Sequence, residues 1–294
     1  MRLFLFISLS ILSPILSGQV PPSTSPLYKH PSHKSNLSNH LNSKNWDKLF
    51  PNRYGKGEKY TGKNLRDFYS LKAFIKAAGY FPQFLSSKDT AIQKRELAAF
   101  LANIAQETSG GWETAPGGYF SWGLFFIDEV HTGEPVQYAD MTKPKYPPVA
   151  GKYYYGRGPK QLSWNYNYGQ FSEAWFGNKD TLLLHPEKIS SDPVLAFASA
   201  IWFWMTPQYP KPSCHEIMTG QWQPNDNDIA NGRLQGFGAT VNIINGGIEC
   251  GLGNDLDKTT HRYKYYEYFC HYFNVSPGEN IKCTYQKPFG SSTK

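Results

Sequence analysis

Three widely separated stretches of this chain, residues 91–106, 194–205 and 256–273, carry apolar side chains at helical spacing. Between them run long segments punctuated by Gly, Pro and Tyr. Near the start, Asp47, Leu49, Phe50, Tyr69, Leu71, Phe74, Ile75, Ala77 and Ala78 read as short helices separated by Gly-rich loops. Helices therefore carry the core. The irregular segments are longer than simple connectors, and loops of that length are uncommon in a compact domain unless they build a site. With 294 residues, the chain suffices for one large core or two lobes.

The ends read differently. Met1 and Arg2 precede an apolar run from Leu3 to Leu16 and a small-residue pair, Ser17 and Gly18, the pattern of a secretory signal over residues 1–18. That run is too short to span a bilayer and no second run approaches membrane length, so the expectation is a released protein without a membrane partner. Residues 19–45, rich in Ser, Pro, Asn, His and Lys, read as a disordered tail. The folded domain is expected over 46–289, with a short C-terminal tail at 290–294. The formal net charge is +7, but the basic residues are scattered and interleave with no aromatic block, so no nucleic-acid partner is indicated.

Four cysteines, Cys214, Cys250, Cys270 and Cys283, lie in the C-terminal third without a C-x-x-C pair or paired histidines, which argues against zinc. In an oxidising compartment at least one disulfide is expected, and the residues alone leave three full pairings open. No phosphate-binding loop, G-x-S-x-G or H-E-x-x-H pattern occurs.

Chemistry concentrates between residues 99 and 129. Glu107 closes a helical pattern built on Leu97, Phe100, Leu101 and Ile104, with a glycine stop at Gly110 and Gly111. Glu129 follows on a separate element. Two acids held apart, one protonated and one ionised, are what a glycosidase needs to cleave an acetal. Trp112, Tyr119, Phe120 and Trp122 supply ring faces on which a sugar can stack. Glu113, Asp128 and Glu134 are nearby acids that read as solvated charges. Further on, Gln161, Ser163, Asn165 and Asn167 alternate, so an extended chain would present them on one face, for turn chemistry or for sugar binding. Residues 242–251 read as a second tight turn bearing polar groups.

Five motifs in order then resemble glycoside hydrolase family 19 chitinases of the plant class I and II type: Gln106 to Trp112 (QETSGGW), Tyr154 to Pro159 (YYGRGP), Gln161 to Gly169 (QLSWNYNYG), Trp202 to Thr206 (WFWMT) and Asn242 to Gly251 (NIINGGIECG). The resemblance runs from Trp46 to Phe289. It implies a mainly α, two-lobed, lysozyme-like fold with a deep substrate cleft. It also implies a secreted, endo-acting, inverting enzyme that works as a monomer on chitin or chito-oligosaccharides and uses no metal or organic cofactor. Carried over position by position, Glu107 matches the general acid, Glu129 the general base and Ser163 the residue holding the attacking water. Tyr154, Gln161, Tyr166, Asn167, Gln208, Lys211 and Asn245 match sugar-contacting positions, with Gln106 and Trp112 flanking the acid. Glu249 and Arg262 match charged partners around the acid, Arg262 after a one-residue insertion following Gly251. The match also implies a Cys250–Cys283 disulfide, with Cys270 and Cys214 free.

The chain departs from the pattern in three places. Gln106 stands where relatives carry His, and an amide can hydrogen-bond but cannot titrate. Tyr146 stands where many have Trp, a smaller stacking face. The cysteines that usually tie the loop after the base are absent, so residues 130–150 are expected to be looser. The same lysozyme-like frame leaves open a peptidoglycan-cleaving muramidase, a non-catalytic chitin-binding protein and a glycan transferase.

Overall fold

The computed structural model of the chain describes residues 35–53 and 67–290. The expected signal segment, residues 19–34 of the expected tail and residues 291–294 lie outside these. Among the described residues there are eleven α-helices: α1 (Ser43–Leu49), α2 (Leu71–Ala78), α3 (Thr90–Thr108), α4 (Asn165–Phe176), α5 (Asp180–Leu184), α6 (Lys188–Ser191), α7 (Pro193–Met205), α8 (Cys214–Thr219), α9 (Asp226–Ala230), α10 (Phe237–Glu249) and α11 (Asp257–Tyr272). The β pairing among these residues consists of isolated bridges, Asp128 with Arg157, Arg157 with Leu162 and Gln208 with Lys211. The fold is mainly α. No helix among the described residues is long and apolar enough to cross a membrane.

Local chemistry explains the main helix starts. Asp89 caps α3 by accepting the Ala91 N–H at 2.7 Å, and Ser70 caps α2 through Ala73. Asp192 accepts from Val194 and Leu195, and Pro193 at the first helical position has no N–H to satisfy. Because α7 is apolar on all sides it must be covered on all sides. Most of it is buried, with α2, α6, α8 and α4 packed against it, and Trp204 meets Phe100 of α3 edge-on at 5.5 Å. Phe74 of α2 stacks on Phe197 of α7 at 4.8 Å and on Phe100 of α3 at 5.6 Å. Trp46 of α1 closes this core, donating its indole N–H to the Tyr69 carbonyl. On the other flank of α3 lies α11, where Phe269 meets Phe50 and Tyr266 stacks on Phe237 of α10 at 4.1 Å.

The structure differs from the sequence expectations in three segments. Residues 35–45, assigned to the tail, belong to the folded body: Leu37 and Leu41 are buried, and Asn42 caps α1. Two leucines in a polar tract were enough to anchor it. Residues 242–249 are not a turn but the second half of α10, which bends at Asn245, where φ is −139° and ψ 29°. Gly246 is required there by the close approach of the Asn242 side chain. Finally, the alternation from 161 to 167 does not run as a strand. Trp164 adopts φ +77° and α4 begins at Asn165, which turns Asn165 into the body, where its amide holds the Asp140 and Tyr146 carbonyls.

The C-terminal tail is tied to α10. Cys250 and Cys283 form a disulfide, and the Gly251 N–H donates to the Cys283 carbonyl at 3.1 Å. Cys214 and Cys270 are free and buried.

Candidate active site

Residue 107 lies one residue from the end of α3, and its position follows from how that helix stops. The Thr108 hydroxyl returns to the Ile104 carbonyl and also accepts the Leu124 N–H, while the Thr108 carbonyl accepts from Phe126. Gly110 then turns the chain at φ +64°. The stretch leading to Glu129 is thereby fastened to the helix end that carries Glu107.

Glu107 is set in a row of alternating charge. Its Oε1 accepts from Arg262 Nη2 at 2.6 Å and lies 3.6 Å from Lys160 Nζ; its side chain is 7% exposed. Arg262 also donates to both oxygens of Glu249, at 2.9 and 3.0 Å, and to Asn103 Oδ1. The Arg262 and Glu249 side chains are 1% and 0% exposed. Burial alone would raise the Glu249 carboxyl, but the Arg262 charge and hydrogen bonds from Arg262 and Asn245 outweigh it and hold it below the usual range. Burial works against the Arg262 charge as well, and the two carboxylates more than restore it. A buried charge of this kind stands only because each neighbour compensates it.

Glu129 is held in another way. Residues 127–129 run beside 156–158: Glu129 N–H donates to the Gly156 carbonyl and Gly158 N–H to the Ile127 carbonyl, both at 2.8 Å. The Gly156 N–H donates in turn to Glu129 Oε2 at 2.9 Å, and the Tyr138 hydroxyl to Oε1 at 2.8 Å. Burial, then the Glu129 hydrogen bond and charge, push the Tyr138 hydroxyl well above the phenol range, so it remains a donor. Among the described residues Glu129 makes no ion pair. Its neighbour Asp128 is taken up by Ser190 and Arg157.

The chain next folds back on itself between Arg157 and Leu162, which exchange backbone hydrogen bonds. Lys160 sits at the tip of this hairpin and Ser163 just past it. Ser163 Oγ donates to the Gln161 carbonyl at 3.0 Å, and Asn167 at the start of α4 donates to the Ser163 carbonyl. Gln161 and Trp164 both have positive φ, a conformation that costs energy for side-chain-bearing residues and concentrates at functional sites. One hairpin thus links Glu129, through Gly156, to Glu107, through Lys160.

Several other residues named from the sequence surround this arrangement. Among the described residues, Gln106 Oε1, Asn167 Oδ1 and Gln208 Nε2 are buried side-chain atoms without a hydrogen-bond partner. So are atoms of Tyr119, His131, Arg157 and Asn231. Tyr166 is half-buried beside Trp164, and burial pushes its hydroxyl up to about 12. Trp112 is exposed against Trp122. Gln208 and Lys211 pair across a tight turn that carries exposed Tyr209, and Lys211 Nζ donates to the Ile243 carbonyl. Asn245 donates to Glu249 at the bend of α10.

Two positions are corrected. Tyr154 is fully buried, its hydroxyl donating to the Leu183 carbonyl and accepting from Val149, so it holds the loop and presents no face to a sugar. Tyr146 does not stand free as a stacking ring. It lies over Gly169, whose missing side chain makes room for it, and its hydroxyl donates to Glu173 of α4 at 2.7 Å. With the Asn165 bonds, this contact ties down the loop after Glu129 where no disulfide does. Glu113 pairs with Lys264 in solvent and Glu134 is exposed. The motifs gave no sign of Tyr138, Gly156 or Lys160 as carboxylate partners, since each reaches its carboxylate from irregular backbone. Among the described residues no group of three or more His, Cys, Asp and Glu side chains is arranged to hold a metal ion.

The sequence model of the family described as "Chitinase class I" matches residues 46–283. The chain belongs to glycoside hydrolase family 19. It is 48% identical over 227 residues to endochitinase A2 of Pisum sativum, covering 77% of this chain and 68% of that one. It is 50% identical over 226 residues to endochitinase CH25 of Brassica napus, at 77% and 68% coverage. Among solved structures, chitinase C from Streptomyces griseus HUT6037 superposes with a TM-score of 0.63 at 31% identity, covering 83% of this chain and 97% of that one. This family 19 glycoside hydrolase shares the mainly α, lysozyme-like fold of its relatives.

Proposed function

We propose that this chain is a secreted endochitinase, monomeric in action, that cleaves β-1,4-linked N-acetylglucosamine polymers with inversion, using Glu107 as general acid and Glu129 as general base. The observation that carries the assignment is the hairpin 156–163, which reaches one carboxylate through the Gly156 N–H and the other through Lys160. In the reaction Glu107 gives its proton to the glycosidic oxygen as the bond from that oxygen to the anomeric carbon breaks. A water at Ser163 passes a proton to Glu129 and forms the new bond from the opposite face. Tyr138 and the Gly156 N–H fix the plane of the Glu129 carboxylate, so its basic oxygen is aimed before substrate arrives.

Gln106, Asn167 and Gln208 support a sugar-lined cleft, because amides with an unpartnered buried atom are suited to the hydroxyl and acetamido groups of such a chain. Trp112, Gln161, Tyr166, Lys211 and Asn245 complete the proposed substrate contacts. The names of the relatives, endochitinases of plants, favour the same substrate. Secretion rests on the signal-like pattern of residues 1–18. Initial rates on chito-oligosaccharides and on bacterial peptidoglycan test the reading. Turnover of the chitin oligomers is the expected result, and turnover of peptidoglycan alone would replace it with a muramidase.

A further inference from the structure

Lys160 stands where the chain needs no cation for folding a hairpin. Residues 157 and 162 close the hairpin by backbone bonds, and Gly158, at φ +73°, makes the turn. The lysine side chain is nonetheless 11% exposed, with Nζ 3.6 Å from Glu107 Oε1 and 4.8 Å from the centre of the Phe203 ring. An ammonium leaves water only where an anion or several acceptors receive it.

The charged and titratable groups that face this spot come from five places. Glu107 ends α3 and Glu96 lies earlier on the same helix, Arg262 is on α11 with Glu249 of α10 behind it, Cys214 starts α8, and Lys211 lies on the turn before α8. Cys214 is a neutral thiol, pushed up to about 12 by burial. Glu96 is engaged by His215 and Trp204, and Glu249 by Arg262. Lys211 donates to the Ile243 carbonyl. Among these groups Glu107 is the carboxyl that meets the ammonium. Burial lowers the proton affinity of Lys160, the Glu107 charge works against that, and the Arg262 charge adds to the lowering.

We propose that Lys160 is a positioning residue for the proton donor, holding the Glu107 carboxyl from the hairpin side and stabilising the carboxylate that remains once its proton has passed to the glycosidic oxygen. The ammonium keeps all its own protons through the step. It also ties the donor to the segment that carries Gly156 and Ser163, so that donor, base and water site move as one unit. The proposal rests on Glu107 being the general acid.

The test is kcat/KM against pH on a soluble chito-oligosaccharide, for the wild type, Lys160→Met, Lys160→Arg and Glu107→Gln. An opposite charge beside a carboxyl favours its ionised form. In Lys160→Met the alkaline limb of the profile should therefore move up, and kcat should fall about three- to ten-fold as the resulting carboxylate loses its cation. The acid limb should stay where it is, and Lys160→Arg, which keeps the positive charge, should restore the wild-type profile. If Lys160→Met does not fold, Lys160→Gln is read in the same way. A folded neutral variant whose alkaline limb has not moved overturns the proposal and leaves Lys160 a packing residue. Glu107→Gln distinguishes the two levels, because retained turnover in that variant overturns the donor assignment itself.

Discussion

The two carboxylates sit in contrasting surroundings. Glu107 is carried by a long helix and gripped by full charges, Arg262 at 2.6 Å and Lys160 at 3.6 Å, in a string that ends on buried Glu249. Glu129 is carried by irregular backbone and held by two uncharged donors, the Tyr138 hydroxyl and the Gly156 N–H. The first arrangement is welded into the packing of α3, α10 and α11, whereas the second is a set of hydrogen bonds among loops. Disturbing the Glu107 side should therefore cost stability together with activity. Disturbing the Glu129 side should cost activity with little loss of stability.

The largest effects test the acids themselves. Glu107→Gln and Glu129→Gln should each lower kcat on chito-oligosaccharides by about 10²- to 10⁴-fold, the usual weight of one proton-transfer role. Glu113→Gln, whose carboxylate pairs with Lys264 in solvent, should stay within about two-fold. A large loss in that variant with a small one at Glu129 would misplace the base.

Next comes Arg262→Met, which strands Glu249 without its cation. Denaturant unfolding should register a loss of about 3–5 kcal/mol, as for other broken buried pairs. A stable variant would dissolve the contrast drawn above. Tyr138→Phe probes the other side: removing one hydrogen bond to a charged group should cost about 1.5–3 kcal/mol of transition-state stabilisation, or about 10- to 100-fold in kcat. Its unfolding free energy should change by less than about 1 kcal/mol, since Glu129 retains the Gly156 bond and solvent access.

The smallest effect is the pH dependence of stability. Glu249 is held below its ordinary value in the folded chain, so it binds fewer protons there than when unfolded. Its contribution is complete above the unfolded glutamate value and disappears as pH falls through the lowered native one. Urea midpoints measured downward from pH 6 should accordingly fall more steeply for the wild type than for Glu249→Gln. Equal slopes would show that the string carries no net linkage to protons.

Much of the helical frame was legible because α3, α7 and α11 announce themselves by apolar spacing and α3 by the glycine that stops it. The second half of α10 was not, since Asn245, Gly246 and Gly247 read locally as a turn. The close approach of the Asn242 side chain explains why a glycine suits position 246 inside that helix. The N-terminal boundary is hard to read because the average polarity of residues 35–45 hides two anchoring leucines, Leu37 and Leu41. At the site, the place of Glu107 at a helix end was legible from the apolar spacing and the glycines behind it. The loop-side partners of Glu129 were not, because the Gly156 amide and the Tyr138 hydroxyl act through irregular backbone that no residue spacing encodes. Tyr154 misled for the converse reason. A tyrosine in a sugar-binding motif reads as a contact, but its hydroxyl is engaged by Leu183 and Val149 deep in the body.

The central claim, that Glu107 and Glu129 act as acid and base on opposite faces of one glycosidic bond, is tested most directly by the anomeric configuration of the first product. Hydrolysis of a chitin hexamer followed by proton NMR, before mutarotation sets in, resolves the two anomers at the newly formed reducing end. The account predicts that the α-anomer appears first from the β-linked substrate and then equilibrates. First appearance of the β-anomer would mean retention and a covalent or substrate-assisted intermediate, which contradicts the role assigned to Glu129.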